Sequence, residues 1–111
     1  MKRAVIISGG KIQSDFALAF LEKYTWDLVI GADRGLIFCH KNRIMPTHIV
    51  GDFDSAGEAE YQYFHENTDI PIRKLNPVKD FTDTDVALRL ALEENAEEIY
   101  ILGGTGTRVD H

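Results

Sequence analysis

"HIVGDFDS", residues 48–55, runs a short apolar stretch directly into Gly51, Asp52, Phe53, Asp54 and Ser55. On an extended chain Asp52 and Asp54 point to the same side and Phe53 to the other. Two like charges held together oppose folding unless a positive partner joins them. A short, unbroken apolar run is the mark of a strand buried on both faces. Here that strand leaves its sheet at an acidic edge.

Working outward, the same design recurs along the chain. Apolar, β-rich runs are "AVIIS" (4–8), "DLVIGA" (27–32), a weaker "IPIRKL" (70–75) and "EIYILG" (98–103). Helical patterns fall between them at about 13–24, 35–42, 56–66 and 82–95. The last is the clearest, with Val86, Ala87, Leu90 and Ala91 on one stripe and Arg89, Glu93 and Glu94 off it. Thr82 and Asp85 resemble a capping box at its start, with Asp in place of the usual Glu. Alternating strands and helices predict an α/β fold: three layers, a mostly parallel Rossmann-like sheet, helices on both faces.

The composition sets bounds on this reading. The chain has 111 residues, enough for one domain, and 44% of them are apolar. A net charge of −6 argues against nucleic acid or an anionic membrane as the main partner. Cys39 is the single cysteine, so no disulfide forms within the chain and a reducing compartment is expected. In "GLIFCHKN" it reads as a small buried residue. The apolar run of "MKRAVIISGGK" stops too early for a signal peptide or a membrane span. These features predict a cytoplasmic protein.

In open α/β sheets, ligands bind outside the carboxyl ends of the strands. After the first strand come Ser8, Gly9, Gly10 and Lys11, and after the second Asp33, Arg34 and Gly35. The fourth leads into "NPVKDFTD" (76–83), the last into "GGTGTR" (103–108) and Asp110. Loops are polar in general, but the repeated pairing of Asp with Gly exceeds what turns require. Asp33, Asp52, Asp54, Asp80 and Asp83 would share one rim. Such a carboxylate set suits a hard cation such as Mg²⁺, which keeps waters and takes phosphate oxygens. The four histidines show no zinc-like spacing. Taken singly, Asp52 and Asp54 also fit turn positions, and Asp80 or Asp83 a helix start. "GGTGTR" would let backbone N–H groups approach phosphates, with Arg108 as a planar cation. It lacks the last glycine of the dinucleotide fingerprint, and "SGGK" is not a Walker loop. Lys79, beside Asp80, is placed to hold a phosphate or to pair with that carboxylate.

"GADRG" (31–35), "GDFDS" (51–55), "KDFTDTDVAL" (79–88) and "GGTGTRVDH" (103–111), in this order, resemble the signature segments of the thiamine pyrophosphokinase family. The resemblance covers essentially the whole chain as that family's N-terminal α/β domain. It implies transfer of diphosphate from ATP to the hydroxyl of thiamine, giving thiamine diphosphate and AMP, with Mg²⁺. By the resemblance, Asp52 and Asp54 are metal and phosphate residues and Asp83 stands at metal and substrate. Asp80 and Thr82 flank it in the same segment. Asp33 lines the cleft, and Arg108 and Asp110 lie near the nucleotide; Gly104 and Gly106 belong to the glycine run read above as a phosphate cradle. Arg34 stands where the family often has a small residue, open to contact with a phosphate or with solvent. Thr107 stands where a second glycine is common. Family members carry a second, all-β domain that supplies much of the thiamine pocket, typically across a homodimer. None of it lies in these residues, so the chain is expected to be a fragment, inactive or weakly active alone. Two other readings are a diphosphokinase for another alcohol, such as a hydroxymethylpterin, and a non-catalytic nucleotide-binding module.

Overall fold

A computed structural model describes residues 2–8, 14–32, 34–51, 58–74, 83–103 and 108–110, with the backbone alone at Ser14, Glu58, Lys74, Asp83, Thr84 and 108–110. In chain order the elements are β1 (Arg3–Ile7), α1 (Ser14–Lys23), β2 (Leu28–Ala32), α2 (Gly35–Lys41) and β3 (His48–Gly51). They continue with α3 (Glu58–Asn67), β4 (Ile72–Lys74), α4 (Asp83–Glu93), β5 (Glu98–Leu102) and β6 (Arg108–Asp110). The strands form one sheet in the order β4-β3-β2-β1-β5-β6. β1 to β5 are mutually parallel, and only β6 runs antiparallel, against β5. The expected α/β fold with a mostly parallel sheet is the fold observed. After the last glycine run the strand-helix alternation breaks, because residues 108–110 form β6 where alternation alone calls for a helix.

The position of each helix follows from strand order. β1 to β4 step in one direction across the sheet, and right-handed crossovers then place α1, α2 and α3 on one face. The β4-to-β5 connection steps back past β1, which places α4 on the other face. β1, β2, β3 and β5 serve both layers by alternation. Ala4, Ile6, Leu28, Ile30, Ala32, Val50 and Ile99 pack with Ala87, Leu90 and Ala91 of α4. Val5, Ile7, Ile49, Tyr100 and Leu102 pack with Ala17, Leu36, Phe38, Cys39 and Phe64. Val5, Ile6, Ile7, Ile30 and Ile49 are fully buried, and each such side chain contributes about 1.5–3 kcal/mol of transfer free energy. The alanines at 4, 32, 87 and 91 have no exposed surface, so α4 lies close against the strands.

α1 is held by rings. Phe20 sits 5.2 Å from Tyr100 and 5.6 Å from Trp26, centroid to centroid. The Trp26 indole N–H donates to the Leu21 carbonyl at 2.9 Å, which leaves its polar atom partnered. α2 and α4 both end in a Schellman motif. Ile44 N–H donates to Cys39 O at 2.8 Å and Arg43 N–H to His40 O at 3.3 Å. Ala96 N–H donates to Ala91 O at 3.0 Å and Asn95 N–H to Leu92 O at 3.0 Å. Arg43 (φ 58°) and Asn95 (φ 65°) take the left-handed position that these caps require.

Candidate active site

Parallel pairing brings the carboxyl ends of five strands to one edge of the sheet. Ile7 aligns with Gly31 and with Leu102, Ala32 with Val50, and Gly51 with Lys74. The chain therefore leaves β1 at Ser8, β2 just before Asp33, β3 just before Asp52, β4 just before Leu75 and β5 at Gly103. Ser8 N–H donates to Leu102 O at 2.8 Å, which ties the exits of β1 and β5 together. Connections run away from β1 and from β5 in opposite directions, so a topological switch point lies between them. Gly51 (φ 149°) and Gly103 (φ 93°) turn the chain at two of these exits.

α4 adds a sixth chain segment to the same edge. Its far end is fixed beside the start of β3, where Glu94 Oε1 lies 3.8 Å from Nε2 of His48, the first residue of that strand. The helix runs back from there to Asp83, its first residue. Ten rises of about 1.5 Å separate Asp83 from Glu93, so the Asp83 backbone lies about 15 Å away, at the carboxyl end of the strands. The helix starts where the Thr82–Asp85 pattern puts it.

Of the residues singled out in the sequence, Asp33, Asp52, Asp54, Lys79, Asp80, Thr82, Gly104 and Gly106 lie outside the described residues. Asp83 is on the rim by its backbone. Arg108 and Asp110 are carried by β6, which runs away from the rim. Arg108 pairs with Tyr100 and Asp110 with Glu98, the first residue of β5. At about 3.3 Å per residue, the Asp110 backbone lies roughly 13 Å back from the exit at Leu102. Arg34, beside the rim, is exposed and in helical conformation (φ −63°, ψ −16°) before α2. Two rim residues carried no assignment from sequence. Ser8 and Gly35 stand at strand exits, and position after a strand was the one available signal.

Among the described residues, no three His, Cys, Asp or Glu side chains gather as a metal site. Cys39 is a free thiol, and burial pushes its pKa up to about 12, so it is not a nucleophile. A concavity of about 350 Å³ between α2 and α3, lined by Cys39, His40, Arg43, Tyr63 and Phe64 among others, holds none of the candidate site residues. Among the described residues no helix is long and apolar enough to cross a membrane.

Comparison with known proteins places this geometry. Residues 21–111 match the family described as thiamin pyrophosphokinase, catalytic domain. A curated thiamine pyrophosphokinase from Bacillus subtilis is 36% identical over 112 residues, covering 100% of this chain and 51% of the relative. The solved structure of thiamine pyrophosphokinase from Bacillus subtilis superposes with a TM-score of 0.72 at 33% identity, covering 97% of this chain and 50% of the other. That of thiamin pyrophosphokinase from Geobacillus thermodenitrificans gives 0.70 at 27% identity, with coverages of 97% and 49%. The chain thus spans about half the length of the curated relative it matches.

Proposed function

The chain belongs to the thiamin pyrophosphokinase catalytic-domain family, and from that premise we propose that it is the ATP-binding part of an enzyme that pyrophosphorylates thiamine. One observation carries the reading. Five strand exits and the start of α4 meet at one end of the sheet, and each leads in sequence into an Asp, Gly or basic segment. The matched family and relatives bear thiamine names, so a pterin acceptor is not favoured.

In this reading the hydroxyl oxygen of thiamine attacks the β-phosphorus of ATP. The bond from that phosphorus to the α,β-bridging oxygen breaks, AMP leaves with that oxygen, and the hydroxyl proton passes to a carboxylate. Such a transfer needs positioning and charge neutralisation more than covalent help. Asp83, at the start of α4, orients the hydroxyl and takes its proton. Asp52 and Asp54 follow β3 directly and, with Asp83, form an all-carboxylate donor set of the type that holds Mg²⁺. Bound there, the cation would neutralise phosphate oxygens. Asp33, Lys79, Asp80, Thr82, Gly104, Gly106 and Arg108 are assigned to the nucleotide. Asp110 belongs to the same set by family resemblance. Its backbone position opposite Glu98 makes it the member farthest from the strand exits. A cytoplasmic homodimer completes the reading.

Calorimetry of ATP binding with Mg²⁺ and with chelator tests it. Binding should be saturable and stronger with Mg²⁺, and Asp52→Asn, Asp54→Asn and Asp83→Asn should each remove that gain while far-UV circular dichroism stays unchanged. Equal affinity in chelator, or three variants that bind as the parent does, would overturn the metal assignment. Gel filtration with light scattering reads the homodimer.

A further inference from the structure

The first residue of α2 rests on the end of β1. A Cβ added to Gly35 would fall on the Ile7 carbonyl oxygen, 2.6 Å from the carbonyl carbon and 3.2 Å from the Ser8 nitrogen. All three obstructing atoms are backbone, so no rotamer change relieves the clash. Gly31, one strand end earlier, is a useful contrast. A Cβ there would meet Leu36 Cδ2 at 2.7 Å, the far end of a side chain and not backbone. Gly35 is buried, and the Ser8 amide beside it is already bonded to Leu102 O. Three exits are therefore stacked without a side chain between them: β2 through Gly35, β1 through Ile7 and Ser8, and β5 through Leu102.

We infer that Gly35 is a positioning residue for the rim, setting the spacing at which the segments after β1, β2 and β5 begin. The inference rests on the reading that this rim binds Mg-ATP. Gly35 needs no contact with the nucleotide. It acts through the backbone of Ile7 and Ser8, from which the "SGGK" segment departs, and through Leu102, from which the glycine-rich segment departs. A methyl group at this point forces the exits of β1 and β2 apart. A misplacement of roughly 1 Å can cost about 100-fold in rate at a preorganised site, and binding that depends on the same spacing falls with it.

The test compares Gly35→Ala with Gly31→Ala, both crowded glycines of the same strand-helix unit, below the melting transition of each. Gly35→Ala should weaken Mg-ATP binding by about 10- to 100-fold and speed hydrogen exchange at the Ser8 amide. Gly31→Ala should lose stability and leave affinity and Ser8 exchange as in the parent. Parental affinity in Gly35→Ala, or equal loss in both variants, overturns the inference. If Gly35→Ala does not fold, the parent decides: its Ser8 amide must be protected before nucleotide is added, and rapid exchange there overturns the inference. If the parent itself binds no Mg-ATP, the functional reading fails instead, and faster Ser8 exchange in Gly35→Ala than in Gly31→Ala still decides the role of Gly35.

Discussion

Replacing Ala87 by Leu tests whether the seat of α4 on the sheet sets the geometry of the rim. Ala87 has no exposed surface and packs among Ile6, Ile30 and Val50, so three further carbons find no space. Overpacking of this kind costs about 1–3 kcal/mol. Against a total of about 5–15 kcal/mol for a domain of this size, the protein stays folded. At roughly 3–6 °C per kcal/mol, the melting temperature should fall by about 3–18 °C. The helix relieves the strain by backing off the strands, and Asp83 is four residues away, about 6 Å along the axis. Most of the shift therefore reaches Asp83, and Mg-ATP affinity should fall at least tenfold, toward the 100-fold expected of a displacement of about 1 Å. Ala91→Leu supplies the comparison. Ala91 is equally buried but lies about 12 Å from Asp83, so a similar loss of stability should come with a smaller loss of binding. Calorimetry and thermal melts on both variants read the two quantities separately. Parental affinity in a destabilised Ala87→Leu, or binding losses that match in the two variants, would refute the coupling of α4 to the rim.

Three further outcomes follow from the caps and the core. Arg43→Gly should raise stability by about 1 kcal/mol, because a long side chain now occupies a left-handed cap position (φ 58°), whereas Asn95→Gly (φ 65°) should gain only a few tenths; urea midpoints would show it, and a loss in Arg43→Gly would contradict the cap assignment. Cys39, with its pKa pushed by burial from 9.0 to about 12, has at pH 8 a thiolate fraction of about 10⁻⁴ against about 10⁻¹ unperturbed, so a disulfide reagent should label the native protein about a thousandfold more slowly than the urea-unfolded chain. The unfolded chain releases the Cys39 proton near pH 9 while the folded chain keeps it to about 12, so stability should fall as pH rises across that window, and this component should vanish in Cys39→Ala.

The elements were legible because each signal was local. Val86, Ala87, Leu90 and Ala91 share a stripe at helical spacing, and three of them form the buried face of α4, with Val86 packed against it. The apolar runs at 4–8, 27–32 and 98–103 became strands with ends moved by at most a residue, and so did the stretch that opens "HIVGDFDS". β6 was not legible. "RVD" has no alternation of its own and becomes a strand only because β5 offers a free edge. The division of helices between the faces also escaped, since it depends on strand order and not on any helix's own sequence. The rim could be anticipated from where the apolar runs stop, while Asp33 and Asp52 themselves lie outside the described residues. The close approach of Gly35 to Ile7 could not, because a glycine in "GADRG" looks the same whether it turns freely or carries another strand's backbone.

Of the strands in this chain, the first to be made is also the one that waits longest for its neighbour. β1 lies inside the sheet, and its pairing with β5 joins Arg3 to Glu98 across nearly the whole chain. Until residue 98 emerges, an apolar ribbon of Ala4, Val5, Ile6 and Ile7 has one open edge, ready to pair with any other extended segment. Loop closure over such a separation slows folding, and the nascent chain is exposed to aggregation in the interval. Release of the chain a few residues before Glu98 should therefore yield more insoluble protein than release after Asp110, where both β5 and β6 are present.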